Sequence, residues 1–533
     1  MKKLLAAVVP LRLRGRLRRL HGDHAIAAGA FDAAFYLRTY PDVAEVGVDP
    51  LDHFMTYGWR EGRDPSPDFS VAAYLDAFPE VASSGVNPFV HYLTSGRPTA
   101  ARRESPYGFR YDVIERLKPV DDRIRREPDP VDPDAELAAA LLQSRGRLAH
   151  LHVTFSHDDY SANVGGLQFA IGREAARQAQ LGRDHLHLFP SHPWPVVRTA
   201  GEPGVLGVVW NGQHVGCFEA ATIARVLGDV AGTEGGARTF AIHSLLGHSA
   251  DETADILAAV GLNQGVFWLH DFASLCAGFH LLRNDVEDCG APPPDSAACD
   301  VCVYGPWRQR HLAEHARLFE RLGLTVAAPS RVTLDFWVRS THLPARGTVV
   351  LPHATLAPRE PAAAVPEDRP LRIAYAGLPV THKGWPLFAR LASRFGEDAR
   401  YQFHHLGARG DATLPATFTP VSAGAANPLA MRDALHAAEI DITLVWPLCR
   451  ETFSFVAHEA VSAGSAVVTG PDSGNVQAFV RETGHGLVLD EAALMAAFET
   501  GTILELGRAR RRPMLYDLAY SALTLDLPAV ADA

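Results

Sequence analysis

Residues 371–408, LRIAYAGLPVTHKGWPLFARLASRFGEDARYQFHHLGA, decide the fold. LRIAYAG is a short apolar run ending in glycine and reads as a buried strand. HKGWPLFARLASRFG then places apolar residues at helical spacing, and YQFHHLGA returns to strand character. Strand, helix and strand in this order predict a βαβ unit of a parallel sheet. The alternation continues through AMRDALHAAE (helix), IDITLVWP (strand), TFSFVAHEAVSAG (helix) and SAVVTGP (strand). Upstream, a Pro- and Ala-rich bridge at 357–370 closes an earlier series that begins at His150. There HLHVTF, SHDDYSANVGG, LQFAIGREAARQAQLG and HLHLFP read as strand, glycine loop, helix and strand. RTFAIHS, VFWLHDF, LTVAAPS and TVVLPHA add strands that end in polar or small residues. The predicted fold class is α/β: two Rossmann-like domains, 148–356 and 371–533 with a C-terminal tail, facing a cleft. Ligands of open α/β sheets collect at the carboxyl ends of the strands, which puts His243, His270, Asp271, Ser330 and His353 on one rim.

At 533 residues, 47% hydrophobic and 21% charged, the chain holds two or three packed units and is too apolar to be disordered. Its net charge of -11, from 61 acidic and 50 basic residues, argues against a nucleic-acid partner, which needs a concentrated basic surface. Six cysteines make no dense disulfide framework, consistent with a reducing cytoplasm. No run of about twenty apolar residues is present, so a spanning helix is not expected. The segment 1–30 opens with MKKLLAAVVPLRLRGRLRRL, seven Lys or Arg and no acid. Its apolar stretch runs into arginines rather than a cleavage site, so it reads as uncleaved. It is either an interfacial segment drawn to anionic lipid at the inner face of the cytoplasmic membrane or a frayed basic tail.

Residues 31–100 are duplicated. FDAAFYLRTYPDVAEVGVDPLDHFMTYG from Phe31 recurs as FSVAAYLDAFPEVASSGVNPFVHYLTSG from Phe69, 38 residues on. Asp49 and Asn87 are good N-caps, Pro50 and Pro88 suit the first helical position, and Gly58 and Gly96 are expected to end the helices left-handed. Two small helical repeats result, with His53 and His91 as packing residues. The stretch 101–147, rich in Arg, Asp, Glu and Pro, reads as a linker.

The string with most chemical content is ETFSFVAHEAVSAGSAVV, with Glu451 and Glu459 eight apart. With Glu451 in the preceding loop and Glu459 two turns along the helix, the pair can address opposite ends of one extended ligand. The helix N-terminus at Thr452, Phe453, Ser454 and Phe455 offers N–H groups and positive dipole to a diphosphate. On spacing alone, an amphipathic helix with two solvated glutamates is the plainer reading. Gly165 and Gly166, where a strand gives way to a helix, let backbone N–H groups approach a phosphate or sugar, or form a tight turn. Cys276, Cys289, Cys299 and Cys302 surround a proline-rich loop. The CxxC spacing of the last two suits a structural zinc, with unligated thiols or a disulfide as the alternative.

ETFSFVAHE resembles the Glu-x7-Glu motif of retaining glycosyltransferases of the GT-B fold, family 4 in particular. Gly377 followed by His382-Lys383-Gly384 is similar to the family's basic loop, Gly474-Asn475-Val476 to the segment after the next strand, and Gly165-Gly166, His270-Asp271 and LPHATL to its N-terminal motifs. The resemblance spans about residues 148–510. It implies that Glu459 bonds the nucleotide ribose, Lys383 and His382 face the donor diphosphate, Glu451 faces the sugar hydroxyls, and His270 contacts the transferred sugar, with Asp271 orienting it or packing. Gly165, Gly166 and Thr452 to Phe455 complete the donor site. It also implies a nucleotide-sugar donor, a glycan or lipid-linked acceptor, no cofactor required for catalysis, and retention at the anomeric carbon. Similar cysteine clusters follow the His-Asp pair in some relatives. Repeats like those of 31–100 are appended to bacterial polysaccharide glycosyltransferases, which implies a role in surface polysaccharide synthesis. One departure is Leu378, where many relatives carry an arginine. It favours the alternative of a catalytically weakened GT-B scaffold that binds glycan or partner transferases.

Overall fold

The structure, a computed structural model, describes residues 22–95, 108–127, 129–144, 147–202, 204–232, 236–361, 369–422, 427–509 and 513–527. Most of the basic segment 1–30, residues 96–107 and the centre of the 357–370 bridge lie outside them. The chain divides into two units. One takes the described residues up to Pro119 with 283–286 and 292–306, and the other takes 120–282, 287–291 and the chain from Trp307.

In the first unit the duplicated stretches form helices at matching positions. They are Ala33–Thr39, Pro41–Val46 and Pro50–His53, then Val71–Ala77, Pro79–Ser84 and Pro88–Thr94. Asp49 accepts from the N–H groups of Leu51 and Asp52, and Asn87 from those of Phe89 and Val90, each ahead of a proline that opens the helix. Each copy also joins a tyrosine hydroxyl to a histidine: Tyr36 Oη lies 3.0 Å from His53 Nδ1 and Tyr74 Oη 2.8 Å from His91 Nδ1. Gly58 departs from expectation. It closes the π-helical turn Phe54–Gly58, where a Cβ would stand 2.1 Å from Tyr36 Oη, so the residue serves close approach rather than a left-handed cap. The left-handed closures fall at Gly47 (φ 69°) and Gly85 (φ 68°), and Gly96 is outside the described residues. Tyr36, Phe54, Tyr74 and Phe89 share one aromatic core. The short helix Ala297–Asp300 packs on Pro41–Val46, and Asn284 Nδ2 donates to Arg38 O at 3.4 Å.

The second unit is built on two large sheets. The first contains β1 (Leu151–Phe155), β2 (Asp184–Pro190), β3 (Val205–Trp210), β4 (Gln213–Glu219), β5 (Thr239–Ile242) and β6 (Gln264–Trp268). A separate two-residue ribbon, β7 (Leu282–Arg283) with β8 (Glu287–Asp288), precedes β9 (Gly323–Ala328) and β10 (Gly347–Val350). The order is β10-β9-β6-β5-β1-β2-β3-β4, parallel from β10 to β2, with β3 and β4 added antiparallel at one edge. β1 and β2 are buried along their whole length, as parallel strands covered on both faces must be. β11 (Ala354–Pro361) then leads to the second sheet. This holds β12 (Leu371–Ala376), β13 (Tyr401–Gly407), β14 (Thr417–Pro420), β15 (Ile442–Leu444), β16 (Ala466–Thr469) and β17 (Gly486–Val488). Its order is β14-β13-β12-β15-β16-β17, parallel throughout. Two Rossmann-like sheets, as predicted, therefore carry this unit.

Two stretches do more than the sequence suggests. In the 101–147 region, helix Asp134–Leu141 buries Leu137 and Leu141 in the core of the first sheet. Helix Gly108–Glu115 belongs to the first unit, where Tyr111 Oη donates to Asp64 Oδ2 at 2.5 Å. Past the second sheet, β18 (Met514–Tyr520) pairs antiparallel with β11. The chain after it returns to the first sheet: Thr524 N donates to Glu174 Oε1 at 3.1 Å, and Trp268 Nε1 to Thr524 Oγ1 at 3.0 Å.

Candidate active site

In the second sheet the chain runs outward from β12 through β13 and β14 and then returns to β15 on the other side, so the topological switch point lies between β12 and β15. The loops leaving these two strands carry the charged residues of the C-terminal motif. After β12, the turn Thr381–Lys383 ends at Gly384 (φ 85°), where a Cβ would lie 2.0 Å from Trp446 O in the loop after β15. Only glycine lets the basic loop close on that strand exit. Lys383 Nζ then reaches Glu451 Oε1 at 2.5 Å. Desolvation works against its charge, but the Glu451 carboxylate holds the Lys383 ammonium above its ordinary value. Glu451 is fixed by its backbone: Asn475 N donates to its carbonyl at 2.8 Å, and a Cβ at Gly474 (φ 62°) would stand 2.6 Å from that oxygen.

Helix Phe455–Ser462 starts directly after this point, with Ser454 Oγ accepting from Ala457 N at 3.2 Å. Glu459 lies inside it at 6% exposure, and Tyr520 Oη donates to its Oε1 at 3.4 Å. Burial pushes the Glu459 carboxyl up to about 7, against the weak pull of Tyr520. The loop before the helix is clasped by the rim of the first sheet. Ser330 Oγ and Thr333 Oγ1 donate to Thr452 O at 2.9 and 3.1 Å, and Thr452 Oγ1 donates to His270 O at 2.9 Å. Phe455 packs edge-on against Phe169 and 3.3 Å from where a Gly166 Cβ would lie. Lys383, Glu451, the Thr452–Phe455 turn and the His270 strand end are thus brought together, with Glu459 deeper along the same helix.

His270 sits in a chain of buried side chains. Its Nε2 is 2.9 Å from His243 Nδ1 and its Nδ1 3.2 Å from His353 Nε2, so both ring nitrogens are engaged by other histidines. His243 Nε2 meets Glu174 Oε2 at 3.1 Å in a bent contact, and His152 Nε2 lies 3.2 Å from Glu174 Oε1. Burial, with His353 and His243 beside it, holds His270 well below the ordinary imidazole value, and burial holds His353 down to about 3. Burial also opposes charge on Glu174, but His152 and His243 keep its carboxyl well below the usual range.

Other predicted residues have plainer partners. Asp271 Oδ1 accepts from Ala273 N at 2.9 Å and burial pushes its carboxyl up; it caps a turn instead of orienting the His270 ring. His382 stacks on His280 at 4.6 Å, and burial lowers it to about 4. Gly165 N-caps helix Gly166–Gln180 with extended backbone (φ 179°), and a Cβ there would meet the Gln168 side chain, which bonds Asp158 at 2.7 and 2.9 Å. The zinc expectation is not supported. Among the described residues no group of three or more His, Cys, Asp or Glu converges to hold a metal ion. Sequence reasoning missed Glu174, Tyr520 and the Arg450–Asp288 pair (2.6 Å), which anchors the residue before Glu451.

No protein-family model and no curated protein matches the chain. Glycosyltransferases are among the solved structures that resemble it. A sucrose-phosphate synthase from Thermosynechococcus elongatus is 14% identical over 68% of this chain and 93% of that one, with a TM-score of 0.42. Anabaena HepE in complex with UDP-glucose is 9% identical over 68% and 92% of the two chains, with a TM-score of 0.40. WaaG, a glycosyltransferase involved in lipopolysaccharide biosynthesis, is 13% identical over 68% and 94%, with a TM-score of 0.35.

Proposed function

We propose that the protein is a glycosyltransferase that moves a sugar, with retention, from a nucleotide-sugar donor to a glycan or lipid-linked acceptor in bacterial surface polysaccharide synthesis. The observation that carries this reading is the alignment of Lys383, the N-terminus of helix Phe455–Ser462 and buried Glu459 beside the β12/β15 switch point. The donor diphosphate would lie against the Lys383 ammonium and the helix N–H groups, whose positive potential stabilises the leaving group as the glycosidic phosphate bond breaks. Glu459 would accept from the ribose hydroxyls. The diphosphate would draw Lys383 away from Glu451, leaving that carboxylate to accept from sugar hydroxyls. Lys383 and the helix dipole supply the charge stabilisation that a metal gives in other phosphate sites, so no cofactor is invoked.

No helix among the described residues is long and apolar enough to cross a membrane. In this reading the chain works in the cytoplasm, with the basic segment 1–30 drawing it to anionic lipid near its acceptor and the repeats 31–100 docking partner enzymes. The test is thermal stabilisation by UDP, GDP and dTDP of the wild type and of Glu459→Ala, because a ligand that binds only the folded state raises its stability. A shift with one nucleotide that the variant loses supports the donor site. No shift with any of the three, from folded protein, moves the account to the second reading, a non-catalytic scaffold. That reading is favoured by Leu378, 40% exposed where an arginine would face the diphosphate.

A further inference from the structure

The C-terminal segment meets the proposed donor helix at one side chain. Tyr520 closes β18 and stands in register with Ala354 of β11. Helix Gly166–Gln180 beside the first sheet holds its backbone. Arg173 Nη2 donates to Tyr520 O at 3.1 Å and Arg173 Nε to Ser521 O at 3.4 Å, with the guanidinium 5.1 Å over the Tyr520 ring. Phe169 of the same helix packs edge-on against that ring at 5.0 Å, and Phe455 of the donor helix lies 5.8 Å from it. So held, the ring carries its hydroxyl to two acceptors, Pro428 O at 3.2 Å and Glu459 Oε1 at 3.4 Å. A tyrosine hydroxyl has one proton to donate, and the two acceptors compete for it. A protonated Glu459 can itself donate to the Tyr520 oxygen, which frees the hydroxyl proton for Pro428 O. An ionised Glu459 can only accept, and its charge draws the same proton to Oε1.

We propose that Tyr520 is a positioning residue of the donor site, holding Glu459 ionised and turned so that Oε2 faces the nucleotide ribose. The inference rests on the glycosyltransferase reading and adds to that site a residue from the far end of the chain. Ribose hydroxyls donate more strongly to a carboxylate than to a neutral carboxyl, so the site works best with Glu459 charged. Burial disfavours that charge at 6% exposure, and the hydrogen bond from Tyr520 opposes burial. Arg173 and Arg432 act on the Tyr520 hydroxyl, the latter from helix Ala430–Ala437, which packs on the donor helix, and Asp526 acts on Arg173. The ring contacts with Phe169, Phe455 and Arg173 need no hydroxyl, so a phenylalanine would keep them and lose only the donor. Because Arg173 holds Tyr520 from beside the first sheet while Glu459 belongs to the second, both sheets set the geometry of the ribose carboxylate.

Tyr520→Phe tests this on the full chain. With glutamate side-chain carboxyls labelled with 13C and the Glu459 resonance assigned by Glu459→Gln, the unliganded variant should titrate at least half a pH unit above the wild type, roughly the effect of one lost hydrogen bond to the charged form. The member of UDP, GDP and dTDP that stabilises the wild type should bind the variant about 5-fold more weakly at pH 7, with the gap narrowing by pH 9 as Glu459 ionises in both. Its 2′,3′-dideoxy form should bind wild type and variant alike, and in a Glu459→Gln background Tyr520→Phe should leave the pH profile of binding unchanged. An unmoved Glu459 titration, or an equal loss for the dideoxy nucleotide, would overturn the proposal, the second by reducing Tyr520 to a structural contact. Folded wild type that binds none of the three nucleotides would overturn the donor reading and the ribose role with it. The carboxyl titration, which uses no ligand, tells that failure from a missing link between Tyr520 and Glu459.

Discussion

Replacing Glu459 by glutamine should make the unliganded protein more stable as the pH rises. Glu459 is 6% exposed, inside helix Phe455–Ser462, and burial lifts its carboxyl to about 7. An unfolded glutamate titrates near ~4.3, so between these values the folded state holds a proton that the unfolded state has lost. Stability therefore falls as pH rises through this window and levels off above about 7. Roughly 2.7 pH units at ~1.4 kcal/mol each give about 4 kcal/mol by pH 8 and about 1 kcal/mol at pH 5. Glutamine copies the protonated form without titrating and keeps an oxygen for Tyr520 Oη. Chemical denaturation of both proteins at pH 5 and pH 8 should show Glu459→Gln ahead by these amounts. A pH-independent offset, or a less stable variant at pH 8, would refute the reasoning.

In the wild type, affinity for the nucleotide should increase as pH rises through about 7, since ribose hydroxyls favour the ionised Glu459; titration calorimetry at pH 6 and 8 would show this, and a flat profile would remove the ribose role. Lys383→Ala should weaken a nucleoside diphosphate by roughly 10- to 100-fold while sparing the nucleoside, the range of one charge-assisted hydrogen bond. Arg450→Met leaves Asp288, 9% exposed, without its 2.6 Å partner, and should cost about 3 kcal/mol in denaturant titration. Tyr36→Phe and Tyr74→Phe each remove the hydroxyl that meets a histidine and should each destabilise the first unit by about 1 kcal/mol. A large difference between the two would deny the duplicated sites equal weight.

What was legible in the sequence is what local chemistry decides. The β12 to β13 unit follows from an apolar run, a helical stripe and a second run, and the Asp49 and Asn87 caps follow from a polar residue ahead of proline. The carboxyl-end rule also placed His243, His270 and His353 on one rim, which the hydrogen bonds among them bear out. Glu174 was not legible: it comes from helix Gly166–Gln180, where a glutamate reads as solvated until the fold sets His152 of β1, His243 after β5 and the C-terminal segment against it. The return of Met514–Tyr520 to pair with β11 was equally hidden, because the partners lie far apart in sequence and the strand alternates only weakly. Leu137 and Leu141 were lost within a stretch whose prolines and charges dominate its composition. Gly58 was misassigned because the clash it avoids, with Tyr36, is tertiary.

The central claim is that the chain consumes a nucleotide-sugar to glycosylate an acceptor. The direct measurement is nucleoside diphosphate release from UDP-, GDP- and dTDP-sugars, with and without a bacterial glycolipid extract. The account expects release from one donor that depends on the extract and is lost in Glu459→Ala and Lys383→Ala. Folded wild-type protein that turns over none of these donors with the extract present, or variants that match it, would contradict the account.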